Sequence, residues 1–189
     1  YWHIHLANLA TILFLWFYST NFKKDFLVGN VVIAVLTAWS IAVVYFSKFT
    51  ISELLHPAVH STAHLRFFKL MLLYAAFAFI LTLVREALKD MEDIEGDEKI
   101  NVISIPIQYG IQNAKRIVAF ILITELLLYL MFFKELKMEL NPNSFLVFNL
   151  ALSMNLIILV SISKHRLFMK YGGTLLKISM VIGLSSLYL

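Results

Sequence analysis

Seven of the twelve acidic residues crowd into residues 86–98. Read as a helix of 3.6 residues per turn, Glu86, Asp90, Asp93 and Asp97 fall at i, i+4, i+7 and i+11 and share one face. Carboxylates stacked in this way repel each other by about 0.2–0.5 kcal/mol per pair, a cost that a bound cation removes. Lys89, one turn before Asp93, neutralises only part of the charge. Gly96 is expected to free the backbone so that Asp97 swings inward as the helix ends. A calcium loop of the EF-hand kind is excluded, because with Gly96 as its glycine the first acid would have to stand at Met91. Mg²⁺ suits the pattern better, since it takes one or two carboxylates and completes its octahedron with water and phosphate oxygens. The plain alternative is a solvated acidic helix end.

The elements that must carry these residues are apolar. Of 189 residues, 60% are hydrophobic and 15% charged, with a mean hydropathy of +0.81. A soluble globule carries about 25% charged residues and cannot hide that much apolar surface. The chain is therefore read as an all-α, polytopic transmembrane bundle. Six segments approach the roughly 20 apolar residues a span needs: 4–19, 26–47, 67–88, 111–133, 145–163 and 172–189. Polar links at 20–25, 48–66, 89–110, 134–144 and 164–171 separate them and contain Pro57, Pro106 and Pro142, where turns are expected. No repeat divides the chain, so residues 1–189 read as one domain. With no cysteine, disulfides and thiol chemistry are absent.

Lys and Arg divide ten against five between the odd-numbered and even-numbered links, leaving Lys177 aside. That asymmetry places the acidic link on the cytoplasmic side, of the cell inner membrane in the reading adopted here. The net charge of +4 belongs to this pattern, and no nucleic-acid partner is expected. The chain opens at Tyr1 inside an apolar run with no signal-peptide features, and its last apolar run reaches the terminus. It therefore reads as an N-terminally truncated piece of a longer membrane protein.

The run Arg85-Glu86 through Lys89-Asp90-Met91-Glu92-Asp93-Ile94-Glu95-Gly96-Asp97, with Ile105-Pro106-Ile107 and Tyr109-Gly110 after it, resembles the second aspartate-rich motif of the UbiA-type intramembrane prenyltransferases. Its form is closest to the branch of geranylgeranylglycerol-phosphate geranylgeranyltransferases. Tyr18-Ser19-Thr20-Asn21-Phe22-Lys23-Lys24, then Gly29-Asn30, is similar to that family's tyrosine-and-lysine link. The resemblance implies nine helices, of which six are present here, and a first aspartate motif in a part of the domain that this chain lacks. It implies Mg²⁺-dependent transfer of a prenyl group from a polyprenyl diphosphate to a hydrophobic acceptor, of glycerol-phosphate ether-lipid or quinone-precursor type. It further implies Asp90, Asp93 and Asp97 as metal ligands, and Tyr18, Lys23, Lys24, Arg85, Lys89 and Lys99 around the diphosphate. With one carboxylate set, the chain alone is expected to be inactive. The allylic cation that such transfer implies would need a dry cavity with aromatic faces. Tyr18 and Tyr109 stand near the right ends, but with 14% aromatic residues, most of them lipid-facing or packing, spacing does not choose among them.

Three other features compete for a role. His56, His60 and His64 recur every four residues, a spacing that suits either a metal or a membrane-interface segment. Glu125 falls in mid-span, where an acid marks either function or a hydrogen bond to a neighbouring helix. Asn149, Ser153 and Asn155 read as cavity lining or interhelical bonding. Together Glu125, Asn155 and the acidic link frame the rival reading, an ion-coupled transporter or channel. A transporter, however, favours broken spans with charges at the midplane.

Overall fold

The computed structural model describes residues 2–20, 28–48, 62–99, 102–162 and 166–187. Among them there is no strand. The helices are α1 (Trp2–Thr20), α2 (Val28–Phe46), α3 (Thr62–Glu92), α4 (Ile94–Lys99), α5 (Ile105–Tyr109), α6 (Ile111–Met131), α7 (Phe133–Glu139), α8 (Pro142–Ser161) and α9 (Arg166–Ser185). A helix forms at each of the six expected spans. By length and composition, α2, α3 and α8 can cross a membrane. The pair α6 and α7 counts as a fourth crossing if its 61° bend lies within one span.

Helix α3 is the axis of the bundle and packs against α2, α6 and α9, while α8 pairs with α9. Its sequence explains the role. Tyr74, Phe77, Leu81, Val84, Leu88 and Met91 recur at three- and four-residue spacing and are all buried, which gives the helix a continuous apolar face. Near the acidic end, Val84, Leu88 and Met91 pack with Ala114, Val118 and Leu122 of α6, Ile158 of α8 and Leu176 of α9. Toward the other end, Leu73, Tyr74 and Phe77 meet Tyr129 of α6, Leu136 of α7 and Phe148 of α8. In α8 and α9 small residues let the backbones approach: Ser179 Oγ donates to the Ala151 carbonyl at 3.0 Å, and a Cβ on Gly183 would lie 3.7 Å from that of Ala151.

The links are more helical than their polarity suggested. Pro106 and Pro142 stand in the first turn of α5 and α8, where a missing N–H costs nothing and the fixed φ helps. Asn141 caps α8, its side chain accepting from Ser144 N at 2.8 Å. Pro57 lies outside the described residues, as do His56 and His60.

At 1.5 Å per residue, the 31 residues of α3 measure about 46 Å, against about 30 Å of hydrocarbon in a bilayer. Its last turn, with Lys89 and Asp90, therefore stands beyond the apolar stretch 67–88.

Candidate functional site

The acidic cluster occupies that protruding end. Val84, Ala87, Leu88 and Met91 take the core-facing stripe, so the acids fall on the flanks of α3. Glu86 is buried and bound by Arg85, whose Nη1 donates to Oε1 at 2.6 Å. One turn on, Asp90 is half-buried and accepts a 2.8 Å hydrogen bond from Asn30 Nδ2 of α2. Burial pushes the Asp90 carboxyl above the usual carboxylate range. The Asn30 hydrogen bond opposes this, the charges of Asp97 and Glu86 add to it, and Lys89 offsets it.

The expected single ladder is interrupted. Helix α3 stops at Glu92, and Asp93 occupies a bend before α4. The chain does not unwind there: Asp93 N donates to Lys89 O at 2.9 Å, and the Asp93 carbonyl accepts from both Gly96 N and Asp97 N. The turn is also not made by Gly96, which lies within α4. Among the described glycines only Gly110, between α5 and α6, has a positive φ, at 81°. Asp93 faces solvent, whereas Asp97 is half-buried and lies close enough for its charge to act on Asp90. The Asp97 carbonyl also receives Val102 N at 3.0 Å, closing the loop toward α5.

Around these acids, Tyr18 at the end of α1 is half-buried and feels the charges of Glu86, Asp90 and Arg85. Lys89 and Lys99 are exposed. Lys23 and Lys24 lie outside the described residues. Among the described residues no three His, Asp or Glu side chains form a ready metal cage. A metal held by one or two carboxylates plus substrate oxygens needs no such cage, and the surplus negative charge at Asp90 and Asp97 fits that chemistry.

A second polar centre lies within the bundle. Asn155 Nδ2 donates to Glu125 Oε1 at 2.8 Å; both residues are 3% exposed. Asn155 Oδ1 is buried without a hydrogen-bond partner. The pair borders a cavity of about 90 Å³ also lined by Tyr74, Phe77 and Ser179. Nearby, Tyr129 donates to Asn149 at 2.5 Å, while exposed Ser153 bonds only its own helix, at the Leu150 carbonyl. Interhelical hydrogen bonding thus holds for Glu125, Asn149 and Asn155, and Asn155 lines the cavity as well. His64 is buried against Tyr45, with 2.5 Å between its Nε2 and the phenol oxygen.

The sequence profile of the UbiA prenyltransferase family matches residues 2–180. The chain belongs to this family. Among curated proteins, digeranylgeranylglyceryl phosphate synthases are similar to it. That of Methanothermobacter thermautotrophicus is 30% identical over 107 residues, covering 57% of this chain and 32% of that protein. Those of Methanosphaera stadtmanae and Methanococcus maripaludis are 35% identical over 106 residues and 36% over 111, covering 56% and 59% of this chain and 32% and 34% of those proteins. The chain thus spans about a third of the length of the curated relatives it matches. No solved structure matches it. As a UbiA family member with helices that can cross a membrane, it is an integral membrane protein.

Membership draws attention to a contact that sequence reasoning left without a role. Asn30 was legible only as part of the Gly29-Asn30 pair after the first link, 60 residues from Asp90. A polar residue near the start of an otherwise apolar helix was the available signal.

Proposed function

We propose that the acidic end of α3 is half of a prenyl-transfer site, taking a polyprenyl diphosphate and passing its allylic group to a hydrophobic glycerol-phosphate acceptor. The observation that carries this reading is the meeting of Asp90, Asp97 and Asn30 at the polar mouth of an apolar bundle, in a chain of the UbiA family. The named activity of the similar digeranylgeranylglyceryl phosphate synthases agrees with it.

Each residue has a chemical task in this reading. Asp90 and Asp97 hold negative charge where Mg²⁺ would bind; Asp93, at the bend, supplies a third carboxylate from the solvent side. Asn30 fixes the Asp90 carboxylate from α2. Lys89 and Lys99 offer ammonium groups to phosphate oxygens, with Lys23 and Lys24 completing the basic set. Arg85 contributes less directly, because it already holds Glu86. When bound, Mg²⁺ neutralises the diphosphate oxygens and so favours their departure. The apolar bundle receives the prenyl tail and keeps water from the allylic carbon, and Tyr18, within reach of the charges of Glu86 and Asp90, offers an aromatic ring to the allylic cation. The motif faces the cytoplasm in this reading.

The test is transfer of label from a radiolabelled polyprenyl diphosphate, in membranes that contain the chain together with a first aspartate motif, to a glycerol-phosphate lipid or to an aromatic quinone precursor. Ether-linked product that disappears on chelation of Mg²⁺ is expected. Transfer to the aromatic acceptor alone would overturn the acceptor class, and undiminished transfer in chelator would overturn the metal.

A further inference from the structure

A groove of about 380 Å³ opens on the outside of the bundle where α6 bends into α7. Its floor is apolar, built from Leu73 and Ala76 of α3, Leu128 of α6 and Leu136 of α7. The volume equals about a dozen waters, but such walls give water no hydrogen-bond partners. Hydrocarbon fills the space at no such cost.

The rim is charged, and its depth is fixed by α3. Lys69 precedes Asp90 by 21 residues, about 31 Å along the helix, which equals the hydrocarbon thickness of a bilayer. The groove mouth therefore lies at the membrane interface opposite the acidic end. There Arg66 forms an ion pair with the carboxylate of Glu139, which also lines the groove, and its Nη2 donates to the Glu139 carbonyl at 2.7 Å. Lys69 and Glu135 remain. Both are exposed, both line the groove, and neither has a charged partner among the described residues. Beside the paired Glu139, one cation and one anion thus flank an apolar slot at headgroup depth.

We propose that this groove is a binding site for a membrane phospholipid whose headgroup carries both a phosphate and a primary ammonium. One hydrocarbon chain lies along Leu73, Ala76, Leu128 and Leu136. The phosphate meets Lys69, and the ammonium donates to Glu135. A quaternary ammonium lacks the N–H to do so, and a glycerol headgroup lacks the cation. The bend between α6 and α7 makes room for the chain.

The test uses the purified protein in nanodiscs of phosphatidylethanolamine, phosphatidylcholine or phosphatidylglycerol of matched acyl chains, read by thermal melting and by mass spectrometry of retained lipid. The expected result is a melting temperature several degrees higher in phosphatidylethanolamine, with that lipid retained after detergent exchange. Equal stability in phosphatidylcholine would show that Glu135 does not select a primary ammonium and would overturn the proposal. Equal stability in phosphatidylglycerol would reduce the site to an anion contact, with the same consequence. Lys69→Ala, Glu135→Ala and the groove-filling Ala76→Trp should each lower the preference for phosphatidylethanolamine. A preference unchanged in all three, with native helicity in detergent, would locate lipid selection elsewhere and sink this site. The wild-type comparison decides the matter even if Ala76→Trp does not fold.

Discussion

The chain keeps carboxylates in two places of opposite character. At the end of α3, six acids from Asp90 to Glu98 share a short protruding stretch, where solvent and neighbouring lysines moderate their charge. Inside the bundle Glu125 is enclosed by apolar helices and held by one amide. In the proposed function the first arrangement concentrates charge where an ionic substrate would arrive. The second isolates a polar pair where a lone unpaired group is costly. Abundance and access mark the first as a place for chemistry; enclosure and pairing mark the second as a clasp between α6 and α8.

If that contrast is right, substitutions at the two places fail in different ways. Asp90→Asn and Asp97→Asn should lower prenyl transfer by orders of magnitude while the thermal melt stays near wild type, whereas Glu125→Gln should leave transfer within the same order. An ion-path reading forecasts the reverse, so a collapse of activity in Glu125→Gln alone would break the comparison.

Asn30→Leu comes next. It leaves Asp90 its charge but removes the group that orients it, and loss of such a supporting contact costs about 10–100-fold in activity or metal affinity. The pH profile sharpens the assignment. Asn30 favours the ionised carboxyl against the burial that raises its pKa. Without Asn30 the pKa rises further, protonation persists to higher pH, and the acid limb of the rate should move upward. A fall in rate with an unmoved acid limb would make Asn30 a packing residue only.

Smaller effects belong to the scaffold. Gly110 has φ 81° and ψ 154° with open space where a Cβ would point, so Gly110→Ala should cost about 1–3 kcal/mol from backbone strain alone. An unchanged melting temperature would show that this turn relaxes freely. Smallest is the Glu125–Asn155 coupling, about 0.6–1.7 kcal/mol by analogy with other interhelical hydrogen bonds in membranes. A double-mutant cycle of Glu125→Leu and Asn155→Leu measures it, and additive losses would dissolve the clasp.

The apolar runs made the spans legible, because burial in lipid and in the bundle both demand them. The clasp was half legible: Ala114, Val118, Leu122, Glu125 and Tyr129 form one helical stripe in α6, so an acid on that stripe must face another helix. Its partner could not be read, since nothing local ties α6 to α8. The acidic ladder was misread for a related reason. Spacing assumes a continuous helix, and the bend at Asp93 depends on how α4 and α5 settle against α3. Helix α7 was hidden because seven mostly polar residues carry no span signal, and the contacts that tie it to the bundle, buried Leu136 and the Arg66–Glu139 pair, are long-range.

The excess length of α3 has a mechanical consequence. A rigid helix with a cationic residue near one interface and an acidic turn beyond the other is a gauge of membrane thickness. In a bilayer thinner than the span from Lys69 to Asp90 it must tilt or lift a polar end clear, and in a thicker one a charged end is drawn toward hydrocarbon. Because Asn30 ties Asp90 to α2, tilt of α3 cannot leave the mouth of the bundle undisturbed. Acyl-chain length thereby becomes an input to the geometry of the carboxylates, independent of any ligand they hold.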